Sequence, residues 1–218
     1  MQLKYLKNIL EVQDGAAKIT ALAWSPNNMK LAVCTADRVV LLFDETGEKR
    51  DKFSTKPADP KYGKKSYIVK AIDFSPDGTK LAIGQTDNIV FVYKLGEGWG
   101  GKKVICNKFI QTAAVTSLVW PLSGPIIIGL ADGKVRSGAV KTNKAVTLYN
   151  TDSYVVTLTS NLEGTGFLSG HADGSVVRWY VADDPNSKGQ VSINCFLKEM
   201  CQSRLFPGKR VLLRPLGE

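Results

Sequence analysis

The stretch VKAIDFSPDGTKLAIGQTDNIVFVYK (69–94) decides the fold, because it lies without a gap on KITALAWSPNNMKLAVCTADRVVLLFD (18–44) once the leading lysine of the latter is set aside. A third copy, VTSLVWPLSGPIIIGLADGKVRSGAV (115–140), is one residue shorter between its anchors. The fourth, VVTLTSNLEGTGFLSGHADGSVVRWY (155–180), keeps the pattern with Ser160 where an aromatic residue stands in the others. The anchors are an aromatic residue that closes the first strand (Trp24, Phe74, Trp120) and an aspartate in the second turn. Those aspartates, Asp37, Asp87, Asp132 and Asp173, stand 50, 45 and 41 residues apart, close to the period of about 40–45 residues for one four-stranded propeller blade.

Each copy reads strand, turn, strand, turn, strand. Proline presets φ in the SPNN and SPDG turns, and Asn, Asp or Gly tolerates the conformation that follows. In the second turn (TADR, TDN, ADGK, ADGS) an aspartate side chain can accept hydrogen bonds from its own turn, and Gly133 and Gly174 permit positive φ. Fourth strands are expected in EKRDKFST (48–55), KKVICNKFI (102–110) and AVTLYN (145–150). A lone blade cannot bury both faces, so blades must stack around an axis. The fold class expected is therefore all-β, a partial WD40-type propeller of about four four-stranded blades over residues 1–184, with the ring not closed by this chain. The anchors Trp24, Asp37, Phe74, Asp87, Trp120, Asp132 and Asp173 are assigned to blade packing and tight turns, without a ligand or metal. MQLKYLKNILEV (1–12) is assigned an outer strand that in a complete propeller pairs with the last blade.

Composition bounds the rest. The 218 residues are 44% hydrophobic and 22% charged, ordinary values for a globular chain. Basic residues interrupt the apolar ones at the start, which does not read as a signal peptide, and no stretch reaches the roughly 18 apolar residues that cross a bilayer. A protein made and kept in the cytosol is expected. Cys34, Cys106, Cys195 and Cys201 are scattered without CxxC and share one histidine, so they are read as idle thiols and not zinc ligands. Residues 185–218 carry six of the lysines and arginines against two glutamates, which is +4 of the formal +9. That tail, with no aromatic anchor and no turn aspartate, does not belong to the repeat.

Three local features invite chemistry. GEGWGGKK (96–103) contains the GxxxxGK of a phosphate loop, but Lys103 stands where Ser or Thr would hold magnesium, and VICNKFI alternates like a strand. A hairpin loop is expected. His171, in SGHADG, has no nucleophile motif near it and is expected to hydrogen-bond within its blade, with Ser169 and Asp173 as candidate partners. The loop STKPADPKYGKKSY (54–67) mixes Lys56, Lys61, Lys64 and Lys65 with Tyr62 and Tyr67, a combination suited to an acidic partner. Those six residues are the candidate partner-binding set. No catalytic residue, cofactor or small-molecule substrate is indicated.

The wording of DGAAKITALAW (14–24), DRVVLLFDETGEKRDKFSTKPADPKYGKKSY (37–67), GQTDNIVFVYKLGEGWGGKKVICNKFIQTAAVT (84–116) and LSGHADGSVVRWY (168–180) goes beyond a generic propeller. These segments resemble the amino-terminal WD40 propeller of the family of largest subunits of the intraflagellar transport B complex. The resemblance covers roughly residues 1–184. It implies a non-enzymatic scaffold of the cilium or flagellum, at axoneme and basal body, whose partners are other complex B subunits. Two departures stand out: the tail (185–218) does not continue the blades, and the family's long helical array is missing from this sequence. The alternative class is a basic module for lipid or nucleic acid that uses the 54–67 loop with Lys102, Lys103 and Lys108. Nucleic acid is the weaker partner class, because the charge excess is concentrated in the tail, and membrane contact has no motif behind it.

Overall fold

The computed structural model describes residues 3–11, 17–59, 67–96 and 98–180. The tail (185–218) and the centre of the basic loop lie outside them. Among the described residues fifteen strands form four antiparallel sheets, each a meander in chain order. Blade 1 holds β1 (Ile19–Trp24), β2 (Lys30–Thr35), β3 (Val39–Asp44) and β4 (Lys49–Ser54). Blade 2 holds β5 (Val69–Phe74), β6 (Lys80–Gln85), β7 (Ile89–Lys94) and β8 (Val104–Ile110). Blade 3 holds β9 (Val115–Val119), β10 (Ile126–Leu130), β11 (Lys134–Ala139) and β12 (Lys144–Asn150). Blade 4 holds β13 (Val155–Ser160), β14 (Gly166–His171) and β15 (Val176–Tyr180). The architecture is the expected partial, unclosed propeller, and three of the blades have the expected four strands. Any fourth strand of blade 4 would fall beyond the described residues.

The turns follow from their sequences. In blade 1 the Ser25 hydroxyl accepts the Lys30 N–H at 2.9 Å, and Asn28 takes the left-handed conformation at φ 59°. In blade 2 Ser75 and Lys80 repeat the bond at 2.9 Å, with Gly78 at φ 66°. Blade 4 lacks that serine, and the Asn161 side chain takes over by accepting the Gly166 N–H at 3.0 Å. In every second turn the residue after the aspartate has positive φ: Arg38, Asn88, Gly133 and Gly174. Only the last two are the residue type for which that conformation is free of strain.

Strand alternation gives each sheet two apolar faces, and the core lies between blades. We term leading the face that packs on the preceding blade, and trailing the face that receives the next. Ala32, Val40 and Leu42 on the trailing face of blade 1 meet Ile72, Phe74, Leu81 and Tyr93 on the leading face of blade 2. Val90 and Val92 meet Leu118, Ile126 and Ile128 in the next layer. Val119, Ile127 and Val135 meet Phe167, Val177 and Trp179 in the last. The innermost strands β1, β5, β9 and β13 contact one another in series along the axis. Blade 3 departs from the pattern at Gly138, which stands where the other blades carry Phe43, Tyr93 and Trp179. A Cβ there would lie 3.4 Å from three carbons of the Phe109 ring, so the outer strand of blade 2 fills the gap.

Residues 3–11 form no strand. They run past the β3–β4 turn, where Lys7 pairs with Glu48 at 3.0 Å and the Ile9 side chain lies where a Cβ on Gly47 would have to go.

Candidate interaction surface

The anchors occupy three kinds of environment. Phe74 is 1% exposed in the layer between blades 1 and 2. Trp120 is half-buried, and its backbone N–H is held at 2.7 Å by Asp73. Trp24 is 47% exposed, because no blade precedes it among the described residues.

The turn aspartates bind backbone and hydroxyl groups, and three of them tie a blade to the connection that enters it. Asp87 accepts the Ala58 N–H at 2.8 Å, from the loop that leads out of blade 1. Asp132 accepts the Thr112 hydroxyl at 2.7 Å, from the loop that leads out of blade 2. At Asp173 the tie is reversed: its backbone N–H donates to the Ser153 hydroxyl at 3.0 Å, while its carboxylate accepts from Ser175. Asp37 receives the Thr35 hydroxyl. Asp87 is the odd member. Burial pushes its carboxyl above the ordinary value against the N–H bonds it accepts, and its Oδ1 is buried without a partner. Gln85 nearby in sequence is fully buried with neither side-chain atom bonded.

His171 is absorbed into its blade. Its Nε2 lies 3.0 Å from the Ser169 hydroxyl, which accepts the Trp179 indole N–H at 3.0 Å, and its Nδ1 lies 3.3 Å from the Ser153 carbonyl. Ser169 is thus a partner, as the sequence suggests, whereas Asp173 makes no direct bond to the ring and connects only through Ser153. The hydroxyl is used up by indole and imidazole, all three side chains being buried. Nothing there points a nucleophile at solvent.

The glycine-rich segment joins β7 to β8, with no helix after it. It works as a clasp across the blades. Lys103 pairs with Asp51 of β4 at 2.6 Å, the Gly100 N–H bonds the same carboxylate at 3.1 Å, and Lys30 donates to the Gly96 carbonyl at 2.8 Å. The Lys30 ammonium also stands 5.5 Å from the centroid of Trp99. Burial raises the Asp51 carboxyl, but the hydrogen bond and charge of Lys103 with the Lys52 and Gly100 N–H groups outweigh it, so it titrates below the ordinary value. A phosphate would have to displace these contacts. Sequence reading found the hairpin but not the clasp, since nothing in the local pattern pairs Asp51 with Lys103.

Of the six loop residues, the structure describes two. Lys56 is exposed, its backbone N–H given to the Tyr93 hydroxyl at 3.1 Å. Tyr67 is 5% exposed, with its hydroxyl 2.8 Å from Thr55 and the Arg38 guanidinium 5.2 Å from its ring centroid. Tyr67 therefore belongs to the core and is withdrawn from the exposed set. The physical reason is alternation: Tyr67 and Val69 share the buried face of an incipient strand. Lys61, Tyr62, Lys64 and Lys65 lie outside the described residues. Thr55 and Tyr67 meet through their hydroxyls at the two ends of the loop.

Cys34 is buried, and burial pushes its thiol up to about 11. That suits an inert side chain. Cys106 is exposed. Among the described residues no group of three or more His, Cys, Asp or Glu could hold a metal ion, and no helix is long and apolar enough to cross a membrane.

Comparison with known proteins places these blades. The chain matches the family described as "WD domain, G-beta repeat" over residues 7–44 and 60–94. It is 66% identical over 190 residues, 87% of its length, to "Intraflagellar transport protein 172 homolog" of Rattus norvegicus. Over the same share it is 65% identical to the Homo sapiens protein of that name, and over 81% of its length it is 55% identical to "Intraflagellar transport protein 172" of Chlamydomonas reinhardtii. The chain spans about a tenth of the length of these curated relatives, 11% of the first two and 10% of the third.

Proposed function

We infer that this chain, a member of the WD40-repeat intraflagellar transport family, works by recognition and not by catalysis. It is the protein-interaction module of a complex B subunit that supports assembly and transport in the cilium or flagellum, at axoneme and basal body. The observation that carries this reading is the identity to intraflagellar transport proteins, 66% over 87% of the chain for the Rattus norvegicus protein and 55% over 81% for that of Chlamydomonas reinhardtii. The structure is in keeping with it. The histidine, the turn aspartates and the glycine-rich loop are all engaged in internal bonds, which leaves rim loops on rigid blades as the groups free to meet a partner. The partners proposed are other complex B subunits, met through the exposed part of the 54–67 loop that includes Lys56.

Affinity purification of the tagged 218-residue chain from ciliated cells tests it. Complex B subunits are expected among the recovered proteins, with retention that falls modestly between low and moderate salt. Recovery of none of them, or a steep loss with salt in company with nucleic acid, would overturn the reading.

A further inference from the structure

The rim opposite the 54–67 loop carries a hollow between blades 1 and 2, both of which are complete with four strands. Because each blade is an antiparallel meander, the β1–β2, β3–β4, β5–β6 and β7–β8 turns all lie on that rim. The β3–β4 and β11–β12 hairpins close in four residues (45–48 and 140–143), whereas β7–β8 takes nine (95–103). Hairpin loops of about two to five residues are ordinary, so the extra length is not needed to turn the chain. It carries the loop across the seam to blade 1. At one end the Leu95 N–H bonds the Thr79 carbonyl at 2.8 Å, and at the other Asp51 of β4 holds Gly100 at 3.1 Å and Lys103 at 2.6 Å. Between these ties stands Trp99, 38% exposed, with open space around the glycines beside it: a Cβ on Gly98, Gly100 or Gly101 would meet nothing within 4 Å. Trp99, Met29, Lys30, Glu45 and Asp77 line the hollow, which measures about 230 Å³. Its apolar part is the indole and Met29, 46% exposed. Its charge is unevenly placed. Lys30 is 8% exposed and turns its ammonium inward, to the Gly96 carbonyl at 2.8 Å. Glu45 is exposed, and Asp77, though paired with Lys80 at 3.3 Å, keeps its side chain 55% exposed.

We propose that this hollow receives an arginine side chain of a protein partner, in a contact independent of the one assigned to the 54–67 loop. Charge complementarity selects the occupant. An acidic segment would be repelled by Glu45 and Asp77, and a purely apolar one would leave them facing it unpaired. An arginine answers both halves of the site: its aliphatic stem covers Met29, its planar guanidinium stacks on the exposed part of Trp99, and its N–H groups reach the two carboxylates. Lysine fits less well, because an ammonium neither stacks as a plane nor donates in a fork. The ties at both ends of the loop hold the indole in place beforehand, so little ordering opposes binding. A tryptophan at the edge of a preformed hollow is also the residue type on which binding energy concentrates.

The test uses the whole 218-residue chain and three capped peptides: acetyl-Gly-Leu-Arg-Leu-Gly-amide, and the same peptide with citrulline or glutamate in place of arginine. Binding is followed on the indole N–H signals in NMR spectra, with Trp99 assigned by the loss of its signal in Trp99→Phe. The arginine peptide should move the Trp99 signal saturably and leave that of the buried Trp179 in place. The citrulline peptide, equal in shape but neutral, should bind about tenfold more weakly, and the glutamate peptide more weakly still. Glu45→Gln should weaken the arginine peptide about threefold and leave the citrulline peptide unchanged. A Trp99 signal that stays in place, equal affinity for arginine and citrulline, or a stronger response to glutamate overturns the proposal. Movement of the Trp99 signal with chain concentration alone also overturns it, because the occupant is then a second copy. Should Trp99→Phe fail to fold, the Met29 methyl signal, assigned through Met29→Leu, is followed in the unaltered chain with the same outcomes.

Discussion

Blades 1 and 2 both carry large apolar side chains at every position of two leading-face rows, yet Trp24 is 47% exposed where Phe74 is 1% exposed. The rows are Leu22, Val33, Leu41 and Trp24, Leu31, Phe43 in blade 1, and Ile72, Ile83, Phe91 and Phe74, Leu81, Tyr93 in blade 2. The difference lies in what precedes each blade and not in the blade itself. A WD40 face becomes core only when a neighbour arrives, so burial in this molecule is a property of the pair. The trailing faces of the two blades teach the converse lesson. Where blade 1 has Ala23, blade 2 has the half-buried Asp73 facing blade 3, and its two oxygens accept the Trp120 N–H at 2.7 Å and the Phe74 N–H at 2.9 Å. Burial pushes that carboxyl up to about 6 even against those bonds.

The comparison can be broken most sharply at the aromatic pair. Phe74→Ala should destabilise by about 3–5 kcal/mol in urea unfolding, as truncation of a buried aromatic does. Trp24→Ala should cost well under that, about 0.5 kcal/mol. Equal effects would show that a preceding surface covers Trp24 after all.

Asp73 comes next. A carboxyl raised from its ordinary value to about 6 costs about 3 kcal/mol once ionised. The folded form keeps its proton between pH 4 and 6 while the unfolded form has lost it, so stability must fall as pH rises through that window and level off above it. Thermal melts across pH 4–7 should show the slope, and Asp73→Ala, the residue of blade 1, should flatten it.

Third in size is the contrast between an interior and a terminal turn. Gly133 and Gly174 have φ 81° and 84°, but a Cβ on Gly133 would lie 1.9 Å from the Thr151 carbonyl oxygen, while one on Gly174 meets nothing within 4 Å. Gly174→Ala should cost only the left-handed penalty of about 1–2 kcal/mol. Gly133→Ala should exceed it by about 2 kcal/mol, read as a difference in denaturation midpoint. Smallest is Asn88→Gly, which relieves a non-glycine residue at φ 65° and should stabilise by a few tenths of a kcal/mol.

Strands and turns were legible in the sequence because their signals are local: period-two alternation, SPDG, and an aspartate followed by a residue fit for positive φ. The blade count followed from the repeat. Exposure of Trp24 was not legible, since a tryptophan in register with Phe74 and Trp120 reads as core until its missing neighbour is seen. Tyr67 misled for the opposite reason, lying among lysines in sequence while strand alternation turned it inward. The Asp51 and Lys103 clasp joins residues about fifty positions apart, beyond any local pattern.

The leading-on-trailing order has a consequence for birth as well as for stability. A chain emerges from the ribosome amino terminus first, and domains form as they emerge. Each of blades 2, 3 and 4 therefore meets a finished apolar wall the moment it leaves the exit tunnel, and the order of synthesis is the order of burial. Blade 1 supplies the first of these walls, and its trailing row of Ala32, Val40 and Leu42 is in place before Phe74 is made.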